Sequence, residues 1–247
     1  ELDFRSIHVF KAPSRVKLLV LAGGFGTRLR DVVADVPKPL APIGDTPFLE
    51  LQIDHWLGQG IRDFTFLLHH QADSIIAFLE NYRMRDIPSE ATFDWLIEPA
   101  PLNTGGAVAH AVNEIGLLGD FLVTNADTWL GGGIREIFES VAPTLSVVKL
   151  VNTSRYGLVK FNDQNDVTAF IEKDSGSTAG WINAGLCKLS GDIFSGWDGL
   201  PFSLEHDLFE LLVEEKRVKA LTLSVDFIDI GVPEDYYRFR RWQLVGR

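Results

Sequence analysis

Short apolar runs alternate along the first half of the chain with stretches whose apolar side chains return every three or four positions. Val16–Ala22 (VKLLVLA) is almost wholly apolar, as a strand buried on both faces is. Pro47–Gly60 sets Leu49, Ile53, Trp56 and Leu57 on one helical face, with Gly60 placed to close it. Ile61–His70 then reads as a strand, Gln71–Arg83 as a helix, Ala91–Glu98 as a strand, Thr104–Gly116 as a helix and Asp120–Leu130 as a strand. Strand and helix in strict alternation predict a parallel sheet with helices on both faces.

The second half is richer in strand. Thr144–Val151, Tyr156–Phe161, Asp166–Lys173 and Trp181–Ser190 follow one another, separated by turn residues such as NDQND and DSGSTAG. Ser203–Lys216 carries Leu204, Leu208, Leu211 and Leu212 at helical spacing, and Val218–Gly231 reads as one last strand. Pro233 suits the first position of a final helix. No repeat, linker or shift of composition divides the chain, so both halves are expected to share one sheet.

Composition narrows the class. Of 247 residues, 46% are hydrophobic, enough for a sizeable core. No stretch approaches the roughly 20 apolar residues of a membrane span, and the first residues lack an apolar signal-peptide centre. The single cysteine, Cys187, forms no intramolecular disulfide and reads as core. A reduced, cytoplasmic compartment is expected, with no membrane partner. A net charge of −11 speaks against a nucleic-acid partner, which calls for a basic face. It leaves a nucleotide open, because a few local cations and a metal hold phosphates within an acidic protein.

Gly23, Gly24 and Gly26 directly follow the first strand. Such a loop is either a tight turn or a cradle whose exposed amides receive phosphate oxygens. A dinucleotide fingerprint would need glycine where Leu29 stands, and a Walker loop would need a Gly-Lys-Ser/Thr run that is absent. Two cations distinguish this loop. Arg28 offers a planar fork suited to phosphate, and Lys38 is flanked by Pro37 and Pro39, which restrict its backbone. Asp127 and Asp229 each end an apolar run. They are turn aspartates, or a pair sharing one Mg²⁺, a hard cation that prefers oxygen. His69 and His70 end a strand and read as structural or rim residues.

LAGGFGTRL (Leu21–Leu29) followed by PKPLAPIGDTPFLE (Pro37–Glu50) resembles the signature of the sugar-1-phosphate nucleotidylyltransferases. The longer series, through EPAPLNTGGA, NADT and FIDIGVPEDY, is most similar to the short guanylyltransferases acting on heptose 1-phosphate, with mannose-1-phosphate guanylyltransferases and uridylyl- or thymidylyltransferases as near relatives. The resemblance implies a Rossmann-like α/β fold: a mixed, mainly parallel sheet flanked by helices. It also implies Mg²⁺ as cofactor, and a nucleoside triphosphate and a sugar 1-phosphate as substrates. A single domain is expected over 17–247, with a nucleotide half to 130, a sugar-phosphate half from 131 and an N-terminal extension over 1–16. A homodimer is compatible with the sequence.

Residue by residue, the resemblance assigns Leu21, Ala22, Gly23, Gly24, Gly26, Thr27, Glu98, Thr104, Gly105 and Asn125 to the nucleotide. It makes Arg28, Lys38 and Lys173 catalytic, Asp127 and Asp229 metal ligands, and Gly157, Glu172, Lys173 and Asn183 sugar-phosphate contacts. Asp226 fits the ligand spacing less well. At the base, a carboxylate at Glu98 accepts the two adjacent donors of guanine and repels the carbonyls of uracil and thymine, which favours GTP. The alternative is that Glu98 binds loop amides and leaves the base to the backbone of Ala22 and Gly24.

Overall fold

The computed structural model describes residues 16–29, 32–33, 36–171 and 179–245. The first half runs β1 (Lys17–Leu21), the short pair β2 (Pro42–Ile43) and β3 (Thr46–Pro47), α1 (Phe48–Gly58), β4 (Asp63–Leu68), α2 (Ala72–Arg83), β5 (Thr92–Ile97), α3 (Asn103–Ile115), β6 (Asp120–Asn125) and β7 (Thr128–Leu130). The second half runs α4 (Ile134–Glu139), β8 (Thr144–Leu150), β9 (Leu158–Phe161), β10 (Val167–Ile171), β11 (Gly180–Ser190), α5 (Glu210–Glu214), β12 (Lys219–Leu223), β13 (Phe227–Asp229) and α6 (Pro233–Val245).

Seven strands form one sheet in the order β12-β8-β11-β6-β1-β4-β5. The pairs β1–β4, β1–β6, β4–β5 and β8–β12 are parallel, and β11 alone runs against its neighbours β6 and β8. The sheet is therefore mixed and mainly parallel, as expected, and strands from both halves of the chain build it.

Alternation along β1 explains why its run is apolar throughout. Leu18 and Val20 enter the core on one face, with Ile53, Trp56, Phe64, Ile75 and Phe93 from α1, β4, α2 and β5. Leu19 enters the other, with Val108, Ala111, Phe121, Cys187 and Leu189 from α3, β6 and β11. A third cluster joins Phe48, Trp129, Ile228, Tyr236 and Phe239 and seats α6 against β7 and β13. Cys187 is buried, and burial pushes its thiol pKa up, so it is the core residue expected.

Three expectations need correction. The run Asp120–Leu130 is two strands, because the chain turns at Ala126 and Asp127 and β7 leaves the main sheet. Val218–Gly231 is likewise two: β12 closes the sheet edge, whereas β13 pairs antiparallel with β7, the Asp226 carbonyl accepting from the Gly131 amide at 2.8 Å. The stretch from Leu204 to Phe209 is a π-helix before it tightens into α5, and the wider turn leaves Leu211 exposed while Leu204, Leu208 and Leu212 pack inward. Ser203 starts that segment by accepting from the amides of Glu205 and His206 at 3.2 Å each. The short helix α4 was not anticipated from the pattern.

Candidate active site

The carboxyl ends of β1, β4, β5 and β6 meet at one edge of the sheet. Backbone bonds set the exits of these strands: the Ala22 amide donates to Leu67 (3.0 Å), Glu98 to Leu68 (2.8 Å) and Ala126 to Leu21 (3.0 Å). Ligands of open α/β sheets gather at this edge, where neighbouring connections leave on opposite faces.

A cavity of about 680 Å³ opens there. Of the residues nominated from the sequence, Leu21, Ala22, Gly23, Gly24, Gly26, Arg28, Lys38, Glu98, Thr104, Asn125 and Asp127 line it. A neighbouring cavity of about 620 Å³ is lined by Gly157, Asn183 and Asp229, and shares Arg28, Asn125, Glu205 and His206 with the first. Gly105 lines neither; it is buried beneath Phe202, to whose carbonyl its amide donates at 2.9 Å. Thr27 lies in a short 3-10 turn, Thr27–Leu29. Glu172 and Lys173 lie outside the described residues; Ile171, just before them, lines the second cavity.

At the seam of the two cavities sit Lys38 and two aspartates. Lys38 opens a 3-10 turn, Lys38–Leu40, between extended Pro37 and buried Pro39. Gly26, at φ +58°, lets the glycine loop pass against it: a Cβ there would sit 3.1 Å from the Cβ of Lys38. The Lys38 Nζ lies 2.5 Å from Asp127 Oδ2 and 3.5 Å from Asp229 Oδ1. These aspartates are far apart in sequence but adjacent here, because β7 and β13 pair with Thr128 opposite Asp229 and the Ile230 amide donates to the Asp127 carbonyl at 3.0 Å. Each is oriented locally: Asp127 Oδ1 accepts from the Thr128 hydroxyl (3.2 Å) and Asp229 Oδ1 from the Gly231 amide (2.7 Å). No cluster of three or more metal-binding His, Cys, Asp or Glu side chains occurs among the described residues. Two convergent carboxylates still fit Mg²⁺, which takes one or two from the protein and fills its shell with water and substrate phosphates.

Glu98 also lines the first cavity. Its Oε2 accepts from the Leu102 amide at 2.9 Å, and its Oε1 lies 2.9 Å from the position a Cβ would take on Gly23. Burial raises its pKa above the ordinary carboxylate value, and the Leu102 bond partly opposes that. One oxygen thus holds the loop while the other faces Gly23. In the second cavity the Asn183 Oδ1 accepts from the Gly185 amide at 3.0 Å, at a bulge in β11.

Several lining residues were not singled out from the sequence. Arg155 and Tyr156 stand beside Gly157 in the RYG stretch, which was read only for its glycine. Glu205 and His206 line both cavities from the π-helix, whose leucine spacing drew attention away from its polar residues. Glu205 Oε2 accepts from the hydroxyls of Thr104 (3.0 Å) and Ser203 (3.2 Å). His69, read as a structural or rim residue, lines the first cavity.

A mainly parallel sheet with a glycine-led cavity at its carboxyl edge, cations beside it and two carboxylates at its seam defines an α/β protein built to handle nucleotide phosphates. Residues 17–242 match the nucleotidyl transferase family, and the chain belongs to it. It is 33% identical to D-glycero-alpha-D-manno-heptose 1-phosphate guanylyltransferase of Campylobacter jejuni, across 91% of this chain and 98% of that one. It is 30% identical to a probable mannose-1-phosphate guanylyltransferase of Oryza sativa, across 90% of this chain but only 63% of that longer relative. HddC from Yersinia pseudotuberculosis, in a crystal structure complexed with GMP-PN, superposes with a TM-score of 0.79 at 32% identity, covering 92% of this chain and 99% of that one. No helix among the described residues is long and apolar enough to cross a membrane.

Proposed function

We propose that this chain joins GTP to a heptose 1-phosphate, giving a nucleotide-diphospho-sugar and pyrophosphate. The observation that carries the reading is the seam itself: Lys38, Asp127 and Asp229 lie between a glycine-loop cavity and a second cavity that holds Asn183 and Gly157. A reaction that bonds one phosphate to another needs its charges at such a boundary. Similarity to the Campylobacter jejuni guanylyltransferase, and to the HddC structure, supports the choice of substrates.

An oxygen of the sugar phosphate attacks the α-phosphorus; a new P–O bond forms, the α–β anhydride bond breaks, and pyrophosphate leaves with that electron pair. No protein nucleophile is required, so the chain contributes position and charge. The amides of the glycine loop hold the triphosphate, Arg28 meets the departing pyrophosphate, and Lys38 neutralises charge on the α-phosphoryl group. Glu98 accepts from guanine with the oxygen left free by Leu102. Lys173 and Glu172 receive the sugar phosphate and sugar hydroxyls. Asp127 and Asp229 would hold Mg²⁺, which supplies electrostatic stabilisation between the two phosphates when bound.

The test is pyrophosphate release with Mg²⁺ across GTP, UTP, dTTP, CTP and ATP, each against heptose, mannose, glucose and N-acetylhexosamine 1-phosphates. Turnover concentrated on GTP and heptose 1-phosphate is the expected result. Turnover with mannose 1-phosphate in its place moves the sugar assignment to that of the Oryza sativa relative. Turnover confined to UTP or dTTP removes the role given to Glu98, and none with any pair removes the activity.

A further inference from the structure

The described lining of the cavity assigned to the sugar phosphate carries more carboxylates than arginines. Among the described residues, Glu205, Glu210 and Asp229 line it, against the guanidinium groups of Arg28 and Arg155. Arg28 also lines the nucleotide cavity, where the triphosphate claims it. A phosphate dianion entering among these carboxylates calls for a second cation beside the Lys173 assigned to it above, since like charges in a partly desolvated site repel strongly.

Arg155 has the geometry for that role. It ion-pairs through Nη2 with Asp235 Oδ2, and the same nitrogen lies 2.8 Å from the Tyr156 hydroxyl. Its guanidinium carbon lies 5.2 Å from the centre of the Tyr156 ring, so the plane is held from one side. Asp235 is buried in the first turn of α6 and is itself held by Arg238 at 3.1 Å. Both hydrogen-bonded contacts of Arg155 use Nη2. Nη1 and Nε keep N–H donors for a ligand, on either side of the anchored Nη2, so the held cation can give a charge-assisted hydrogen bond to a phosphate oxygen.

We propose that Arg155 binds the phosphate of the sugar 1-phosphate, and that Asp235 is the positioning residue that aims it. This rests on the activity proposed above and adds a binding group and its support to that site.

The experiment is steady-state kinetics of R155A, R155K and D235N, with wild-type protein run alongside. R155A is expected to raise KM for the sugar 1-phosphate by about 10- to 100-fold, as loss of a charged hydrogen-bond partner does, and to leave KM for GTP within about twofold. R155K keeps the charge without the anchored, planar guanidinium and should fall between R155A and wild type. D235N should raise the same KM, and R155A/D235N should be no worse than R155A, because the aspartate acts only through the arginine. A purely structural role for Asp235 would add its effect to that of R155A and would overturn the positioning claim. An unchanged sugar KM in R155A and R155K overturns the assignment, as does an equal rise in KM for GTP. If R155A does not fold, R155K decides by the same criterion. Wild-type protein inactive on every sugar 1-phosphate removes the parent reading and this one with it, an outcome separable from failure of the variants alone.

Discussion

The Nζ of Lys38 lies 2.5 Å from Asp127 Oδ2, across 89 positions of sequence, and reaches Asp229 Oδ1 at 3.5 Å. A cation thus stands between the two carboxylates proposed to hold the metal. K38M should lower kcat by about 10²- to 10³-fold, the usual cost of removing one group that stabilises transition-state charge, with little change in KM for the sugar 1-phosphate. It should also leave Asp127 and Asp229 free to take Mn²⁺ more tightly when no nucleotide is present, which electron paramagnetic resonance reads directly. An intact kcat in K38M would remove Lys38 from catalysis. Unchanged Mn²⁺ affinity would show that its pairing with the aspartates does not compete with metal.

Glu98 gives a prediction with a sign. Burial raises its pKa above the ordinary 4.5, so the carboxylate takes up a proton at a higher pH than an exposed one. The charged form is the one proposed to accept from guanine. KM for GTP should therefore rise as pH falls into the range above 4.5, and E98Q should lose that slope. E98Q should also lower kcat/KM for GTP by about tenfold or more, because an amide presents a donor where guanine also donates. UTP and dTTP should gain relative to GTP. A pH profile for GTP identical in E98Q and wild type would return Glu98 to the loop-holding role shown by its 2.9 Å bond from Leu102.

The parts of this molecule legible in the sequence are those governed by local periodicity. β1, α1, β4, α2, β5 and α3 fall where the apolar pattern put them, because each buries its own stripe against one sheet. What was not legible depends on partners distant in sequence. Phe227–Asp229 continues the apolar character of the preceding strand, and nothing local says that it leaves the sheet to pair with Thr128–Leu130. That departure is what brings Asp229 to Asp127. The π-turn at Leu204 was hidden in the same way: its leucines fit a helix, while the strap from Phe202 to Thr104 that fixes it is a long-range contact. Arg155 was passed over because its partner, Asp235, is 80 positions away.

His55 should make stability pH-dependent. Its ring stacks on Trp129 with centroids 4.5 Å apart, and Nε2 lies 3.0 Å from the Leu130 carbonyl, so the neutral ring donates there. Burial lowers its pKa below 6.5, and the Leu130 bond only partly offsets this. The unfolded chain therefore binds the proton first as pH falls. The stability contributed by neutral His55 is complete above 6.5 and is lost as pH drops from 6.5 through the lower folded value. Urea midpoints of wild type minus those of H55Q should fall across that window and stay level above it. Glu98 titrates with the opposite sign but is common to both proteins, so it cancels in the difference. A level difference below 6.5 would mean that His55 is not held neutral.

Gly105 has no room for a side chain. A Cβ there would lie 2.3 Å from Cε2 of Phe202, and the Phe202 backbone is tied to the same helix turn, its carbonyl accepting from both the Gly105 and Gly106 amides at 2.9 and 3.1 Å, so the ring itself must shift. G105A should cost about 1–3 kcal/mol, as overpacking of a tight core does, measured by urea unfolding. The strain should also reach the site. The Leu204 amide donates to the Thr104 hydroxyl at 2.9 Å, and that hydroxyl donates to Glu205 at 3.0 Å, so displacing Phe202 moves the wall that both cavities share. KM for the nucleotide and for the sugar 1-phosphate should rise together in G105A, unlike in R155A, where only the second rises. G105A/F202A should recover the kinetic part of the loss, since removing the ring removes the clash, while paying its own penalty for the lost aromatic contact with Phe194. Stability and both KM values unchanged in G105A would show that the strap yields freely and does not hold the wall.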